Sequence, residues 1–341
     1  MDRPTVSVVI PTYNRADLLP RALDSIIAQS VQDWEILLVD DGSTDGTASL
    51  AQTYKQRLGE RMVYIRQAKT GCCRARNRGI EAARGRFLAF LDSDDEFMPN
   101  KLQRQLTLFD RQPDLGFVYS DYAYVDTEGV RHNSVFDTIC PIAREVPFEM
   151  IESGLCVCTG SVFDILIRRY FIATIVGLVR REVLGPTIRF TRDPSYAEEW
   201  LFYLQVTKIC RSGFVDEPLC LHHHVIQSSA RTSSHRNTVR MRTLLRKMRN
   251  AFDSLTTAQR SAIRKNLAAT CRQLGYDHYH RDRYGDALRL FTESFYNRPD
   301  PRTLYQMLQT ALRSVGRHRS RYAAVKRHSL ESADELQTAD G

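Results

Sequence analysis

The sequence predicts an α/β fold: a mostly parallel sheet with helices on both faces, followed by an α-helical C-terminal region. Short β-branched runs alternate with helical stripes over the first hundred residues, an order that implies parallel strands joined by crossover helices. The charge then divides. The 341 residues carry a net +8, but from Val225 onward there are 22 Lys and Arg against 10 Asp and Glu, an excess of +12, so the part before it is mildly acidic.

The elements come in order. Val6–Ile10 is a β-branched run closed by Pro11, a buried strand. Apolar positions 18, 19, 22, 23, 26 and 27 form a helical stripe between Asp17 and Gln29. Glu35–Val39 is the second strand, stopped by Asp40-Asp41-Gly42-Ser43, and Ser43-Thr44-Asp45 can cap the helix that runs through Leu50 and Tyr54. Val63–Ile65 is a third strand, 75–83 a helix ended by Gly85, and Phe87–Leu91 a fourth strand running into Asp92-Ser93-Asp94-Asp95.

Several classes are excluded. The composition, 43% hydrophobic and 26% charged, is that of a globular protein. The run from Val162 to Val179 carries Asp164, Arg168 and Arg169 and so does not read as a membrane span. Eight cysteines without regular spacing, one CxC at Cys156 and Cys158 and no CxxC, suggest reduced core thiols in a cytoplasmic protein. Neither a dinucleotide GxGxxG nor a phosphate-cradling GxxxxGK[ST] comes after the first strand.

The strands instead run into polar segments: Pro11-Thr12-Tyr13-Asn14, Asp40-Asp41, and Asp92-Ser93-Asp94-Asp95. Ligands of such sheets sit beyond the carboxyl ends of the strands. Carboxylates gathered there repel a bare phosphate and make sense around a hard cation, Mg²⁺ or Mn²⁺, that bridges them to a diphosphate.

In this order and spacing, VSVVIPTYNR, EILLVDDGSTDGT, ARNRGIEAARG and FLAFLDSDDEFMPNKL resemble the inverting family 2 glycosyltransferases of the GT-A fold, with its Rossmann-like sheet. The resemblance is strong over residues 5–110, weaker to about 230 and thin beyond. It implies a metal-dependent inverting glycosyltransferase. This would move a sugar from a nucleoside diphosphate to a saccharide or lipid-linked acceptor, in bacterial surface polysaccharide synthesis. It also implies roles. Pro11, Thr12 and Tyr13 hold the nucleotide, with the tyrosine ring stacked on the base. Asp41 accepts a hydrogen bond from the base, which suits a UDP- or dTDP-linked donor, and Arg66 is a basic contact. Asp92 and Ser93 take the ribose side, Asp94 is the metal ligand, and Asp95 buttresses the loop or binds. Arg74, Arg76 and Asn77 lie on a helix that faces the donor in relatives.

Inverting transfer needs a base for the acceptor hydroxyl. The family carries it in an acidic pair before an aromatic-rich helix, matched here by Glu198-Glu199-Trp200-Leu201-Phe202-Tyr203, with Glu199 as the base. Glutamate standing where aspartate is usual leaves the choice between Glu198 and Glu199 open. His222-His223-His224 alternate faces if they lie in a strand and cannot all hold one ion. They read as a strand-end surface cluster, with His224 the one nearest a role at the diphosphate.

The expected organisation is a catalytic domain over 1–230, with a nucleotide-sugar half (1–110) and an acceptor half (111–230), and a basic helical region over 231–341. Leu274, Gly275, Tyr284, Ala287, Phe291 and Pro299 fall at the spacing of one tetratricopeptide-type hairpin, read as a helical pair. The basic runs 236–249 and 313–327 favour an anionic membrane surface over nucleic acid, for which no reading motif is present. Two other functions fit the same sheet: a nucleotidyltransferase, which would carry a glycine-rich basic first loop, and a non-catalytic nucleotide-binding scaffold working through its tail.

Overall fold

Seven consecutive buried residues, Val6–Thr12, make the central strand β1. In the computed structural model, which describes residues 3–191, 197–223 and 234–315, β1 is flanked by β2 (Trp34–Asp40) and β4 (Phe87–Phe90), both parallel to it. β3 (Met62–Arg66) extends the sheet beyond β2. The crossovers are α1 (Leu19–Ile27), α2 (Thr47–Leu58) and α3 (Cys72–Ala82). Because β2 and β4 lie on opposite sides of β1, the chain changes direction there and opens a crevice at the strand ends.

Two local expectations need correction and a third is narrowed. Pro11 does not close β1 but lies inside it, paired with Val39 of β2. The β4 side has already ended at Val9 and Phe90, so the missing N–H disrupts no ladder there. Of Ser43-Thr44-Asp45, only Asp45 reaches the first turn of α2. Its Gly46 cap lends no side chain, and Asp45 instead accepts from the Thr47 N–H at 3.0 Å. α3 starts three residues earlier than its apolar stripe, at Cys72. It lies close on β1: a Cβ at Gly79 would stand 2.3 Å from a Val9 methyl, so only glycine fits that crossing.

The rest of the first unit builds onto the same sheet. β5 (Glu96–Phe97) and α4 (Lys101–Arg111) lead to the long β6 (Leu115–Val125), with β7 (Arg131–His132) and α5 (Val135–Thr138) after it. β8 (Phe148–Glu152), β9 (Leu155–Cys158) and α6 (Val162–Leu166) come next. They are followed by β10 (Leu178–Arg180), α7 (Arg181–Leu184), α8 (Glu198–Ile209) and β11 (Arg211–His223). The order is β3-β2-β1-β4-β10-β6-β11-β9-β8, with β10 antiparallel to both neighbours. The 162–179 run thus supplies α6, a 3₁₀ turn at Thr174–Val176 and β10, and Cys156 and Cys158 are buried in β9.

The chain divides into compact units at Met1–Arg231 and Thr232–Gly341. The second holds α9 (Ser234–Asn250), α10 (Thr257–Tyr279), α11 (Tyr284–Asn297) and α12 (301–315). This is more than the helical pair expected. α10 opens with a capping box between Thr256 and Gln259. α10 and α11 make the predicted hairpin, with Leu274, Ala287 and Phe291 buried and Gly275 under the Phe291 ring. Part of the first basic run is structural: Arg242 and Arg246 of α9 both pair with Glu293 of α11. His224, Arg317, Arg319 and Arg321 lie outside the described residues. Among the described residues, no helix is long and apolar enough to cross a membrane.

Candidate active site

The crevice is lined by the three strand-end segments. At the end of β1, Thr12 is buried, and its Oγ1 has no hydrogen-bond partner. A buried hydroxyl without a partner is costly unless something else satisfies it. Asn14 adopts φ +50° and joins the β2 loop, donating its N–H to Ser43 Oγ at 2.9 Å and accepting from the Thr44 N–H at 2.8 Å. The ring of Tyr13 is covered by the Lys69 ammonium, 3.9 Å from its centroid.

At the end of β2 the two aspartates face different tasks. Asp40 is fully buried and accepts from the Ser43 N–H (2.8 Å) and the Tyr64 hydroxyl (2.6 Å). Asp41 organises the loop before α3. Its Oδ1 accepts from Gln67 Nε2 and the Thr70 N–H, both at 2.8 Å, and its Oδ2 accepts from the Gly71 N–H at 2.7 Å. Gly71 sits at φ +99°, where a side chain would be strained. The Thr70 hydroxyl also donates to Oδ1 at 3.2 Å, so Asp41 shapes the loop with four donors. Arg66 is exposed and donates to the Ser43 carbonyl at 2.8 Å.

Beyond β4 the carboxylates crowd. The Asp95 N–H donates to the Asp92 carbonyl at 3.1 Å, and Ser93 is buried between them. Burial, then the charges of Asp95 and Asp92, push Asp94 up to about 6, with Arg15 at 3.8 Å opposing. Asp95 is fully buried and faces away from a ligand role: it accepts from the His223 N–H at 2.8 Å and lies 2.9 Å from His222 Nδ1. His222 and His223 are therefore not loose surface groups, since His223 Nε2 also lies 2.7 Å from Glu96. Burial disfavours the charged form of His222, yet Asp95, Asp92 and Asp94 raise it to about 9, so it is cationic at neutral pH.

The loop offers only hard oxygen donors, and the charge of Asp94 is disfavoured by burial and by its own acidic neighbours. A divalent cation would relieve that repulsion, so the residues fit one, with Asp94 as its ligand. A second grouping, Cys72, Cys73 and Glu198, has ligand atoms within 4.8 Å of one another. It fits a cation poorly, because Arg76 already occupies the Glu198 carboxylate and the Cys73 proton is held far above its usual range by the Cys72 contact and burial.

α8 brings the acidic pair to the same crevice. Ala197, at φ +58°, turns the chain into the helix. Glu198 is buried and engaged by Cys72 Sγ and Arg76 Nη1, each at 3.1 Å. Arg76 also donates through Nη2 to Asp92 at 2.7 Å. This bridge joins the β4 loop to the acidic pair and takes Arg76 off the helix surface. Glu199 has a different setting: it accepts from the Tyr170 hydroxyl at 2.6 Å, and burial together with Glu198 pushes it up to about 7. Tyr170 was not legible as a partner, since no motif surrounds it.

These geometries meet an independent match. Residues 7–166 fit the description "Glycosyl transferase family 2". That stretch of the chain is similar to glycosyl transferase family 2. TuaG of Bacillus subtilis, a glycosyltransferase named for teichuronic acid biosynthesis, is 39% identical over 129 residues, 37% of this chain and 50% of that protein. The chain spans about half the length of the curated relatives it matches. S. aureus TarS in complex with UDP superposes with a TM-score of 0.61 at 18% identity, covering 89% of this chain and 88% of that one. A mannosyltransferase from Pyrobaculum calidifontis in complex with GDP-Man and Mn²⁺ gives 0.57 at 17%, covering 92% and 86%. Both likenesses establish the GT-A fold.

Proposed function

We propose that the protein is a metal-dependent inverting glycosyltransferase that uses a nucleoside diphosphate sugar. The observation that carries this is the convergence on one crevice of Asp94, crowded by carboxylates, and Glu199, pushed up to a basicity suited to proton transfer near neutral pH. The nucleotide lies against Pro11, Thr12 and Tyr13, with Asp41, Arg66, Asp92 and Ser93 around it. A uracil- or thymine-linked donor suits the remaining lone pair of Asp41 Oδ2, and TarS, bound to UDP, lends the same direction. Mn²⁺ or Mg²⁺ held by Asp94 would neutralise the leaving diphosphate.

Glu199 takes the proton of the acceptor hydroxyl as its oxygen bonds to the anomeric carbon. The bond to the diphosphate breaks on the opposite face, which inverts the centre. Glu198 is the poorer base, because Arg76 and Cys72 already consume its oxygen and stabilise its charge. The acceptor is a saccharide or lipid-linked saccharide of bacterial surface polysaccharide synthesis, a setting supported by the name of TuaG. Hydrolysis of UDP- and dTDP-sugars with Mn²⁺ tests the reading. Turnover with at least one of them is expected, and none across both sets would overturn it.

A further inference from the structure

Beside the crevice lies a second cavity of about 630 Å³ that the proposed mechanism does not use. One wall is the outer face of α3, with Arg74 and Arg78 one helical turn apart; the other is the segment 186–190, which contributes Arg189. Three guanidinium groups thus line it, against the single carboxylate of Glu81, which pairs with Arg78 at 3.4 Å. Arg189 is held in place through Nη1 alone, by the carbonyls of Gly185 and Ile188 at 2.9 and 2.8 Å. A guanidinium has five donors in a fixed fork, so most remain for a ligand.

The cavity is built, not incidental. Its walls are tied by Asn77, which donates to the Phe190 carbonyl and accepts from the Phe190 N–H, both at 2.9 Å across 113 positions. Phe190 in turn stacks on Phe202 of α8, 4.2 Å apart and 2° from parallel. At the other end are Gln67 and Thr70, the same residues that Asp41 holds. The groove therefore runs from the nucleotide loop toward the helix that carries Glu199.

We propose that this groove binds an anionic group, carboxylate or phosphate, on the acceptor chain, so that the enzyme extends a charged polymer. This rests on the transferase reading and goes beyond it in naming the acceptor class. Guanidinium forks recognise both anions by the same bidentate geometry, so the probes must tell them apart.

The test is calorimetric titration of the full chain, with UDP and Mn²⁺ saturating, using an oligogalacturonate, a phosphorylated oligomannoside and neutral maltohexaose. At least one anionic probe should bind and the neutral one should not. Binding of the carboxylate probe alone, or of the phosphate probe alone, identifies the group. The double variant Arg78→Gln/Arg189→Gln should weaken binding about tenfold or more, since each lost charged hydrogen bond is of that order. The single exposed variant Arg78→Glu should do likewise without disturbing the 185–190 loop. A control in the basic second unit, Arg249→Gln/Arg302→Gln, should leave binding intact. The inference is overturned if neither anionic probe binds, if the groove variants bind as well as the parent, or if UDP displaces the probe, which would place it in the nucleotide site. Donor hydrolysis in the same preparations separates the two claims: turnover without groove binding sinks this inference alone, and groove binding without turnover sinks the transferase reading.

Discussion

Arg76 and Glu198, 122 positions apart in the sequence, meet as a buried ion pair 3.1 Å long. The same guanidinium holds Asp92, and its flat face lies 5.1 Å from the Phe190 ring. One side chain therefore sets the distance between the loop that would hold the diphosphate and the helix that would deprotonate the acceptor. Arg76→Met should cost about 3–5 kcal/mol of stability, because it leaves Glu198 buried without a counter-charge. Arg76→Lys should recover part of the stability but little turnover, since an ammonium cannot reach two carboxylates with a planar fork. Urea unfolding and donor hydrolysis, measured side by side, check both.

Glu199 accepts a proton only when ionised. Its setting pushes it up to about 7, so transfer should rise with pH through that region and level off above it. Tyr170 donates to the ionised carboxylate and favours it. Tyr170→Phe should therefore move the rising limb to higher pH, while Glu199→Gln should keep nucleotide binding and lose transfer at every pH. If Glu198→Gln is the inactive variant and Glu199→Gln is not, the base is the other member of the pair.

Asp94 is the group whose removal should separate metal from fold. Asp94→Ala relieves the repulsion from Asp92 and Asp95, so thermal stability should hold or increase. Turnover should vanish, and chelation with EDTA should do the same to the parent protein. Undiminished turnover after thorough chelation would exclude a metal-dependent mechanism.

At Gly79 the prediction concerns packing alone. A methyl there would press on Val9 of the central strand at 2.3 Å, and neither element can retreat cheaply. Gly79→Ala should destabilise by about 1–3 kcal/mol. Chemical denaturation measures it.

The basic C-terminal region should dock on anionic membranes through its excess of Lys and Arg. Each basic residue near such a surface contributes about 1 kcal/mol. α12 also leaves Leu304, Leu308, Leu312 and Val315 exposed along one side. Co-sedimentation with anionic vesicles should fade at high salt and be lost when Arg313, Arg317, Arg319 and Arg321 are neutralised. Equal binding to neutral vesicles, or none to anionic ones, would refute it. Arg242 and Arg246 are poor choices for that variant, because Glu293 already holds them.

The sheet was legible because its strands are short, β-branched and separated by helical stripes, so periodicity alone located β1 to β4. The strand-end motifs were legible for a related reason: contiguous residues such as Asp92 to Asp95 must share one loop. Contacts made by distant residues were not. Nothing around Tyr170 marks it as the partner of Glu199, and the duty of Asp95 toward His222 and His223 depends on β5 pairing with β11. Arg76 looked like an ordinary helix arginine because its two carboxylates come from different halves of the chain.

β10 contributes three residues, yet it is the stitch between the two sides of the sheet, antiparallel to β4 on one flank and β6 on the other. A fragment ending near residue 110 would lack it, and β4 would be left with a bare apolar rim of unpaired amides. Such a rim invites edge-to-edge self-association. Attempts to graft residues 1–110 onto another scaffold should therefore carry 178–180 along, or supply a substitute strand in the same orientation.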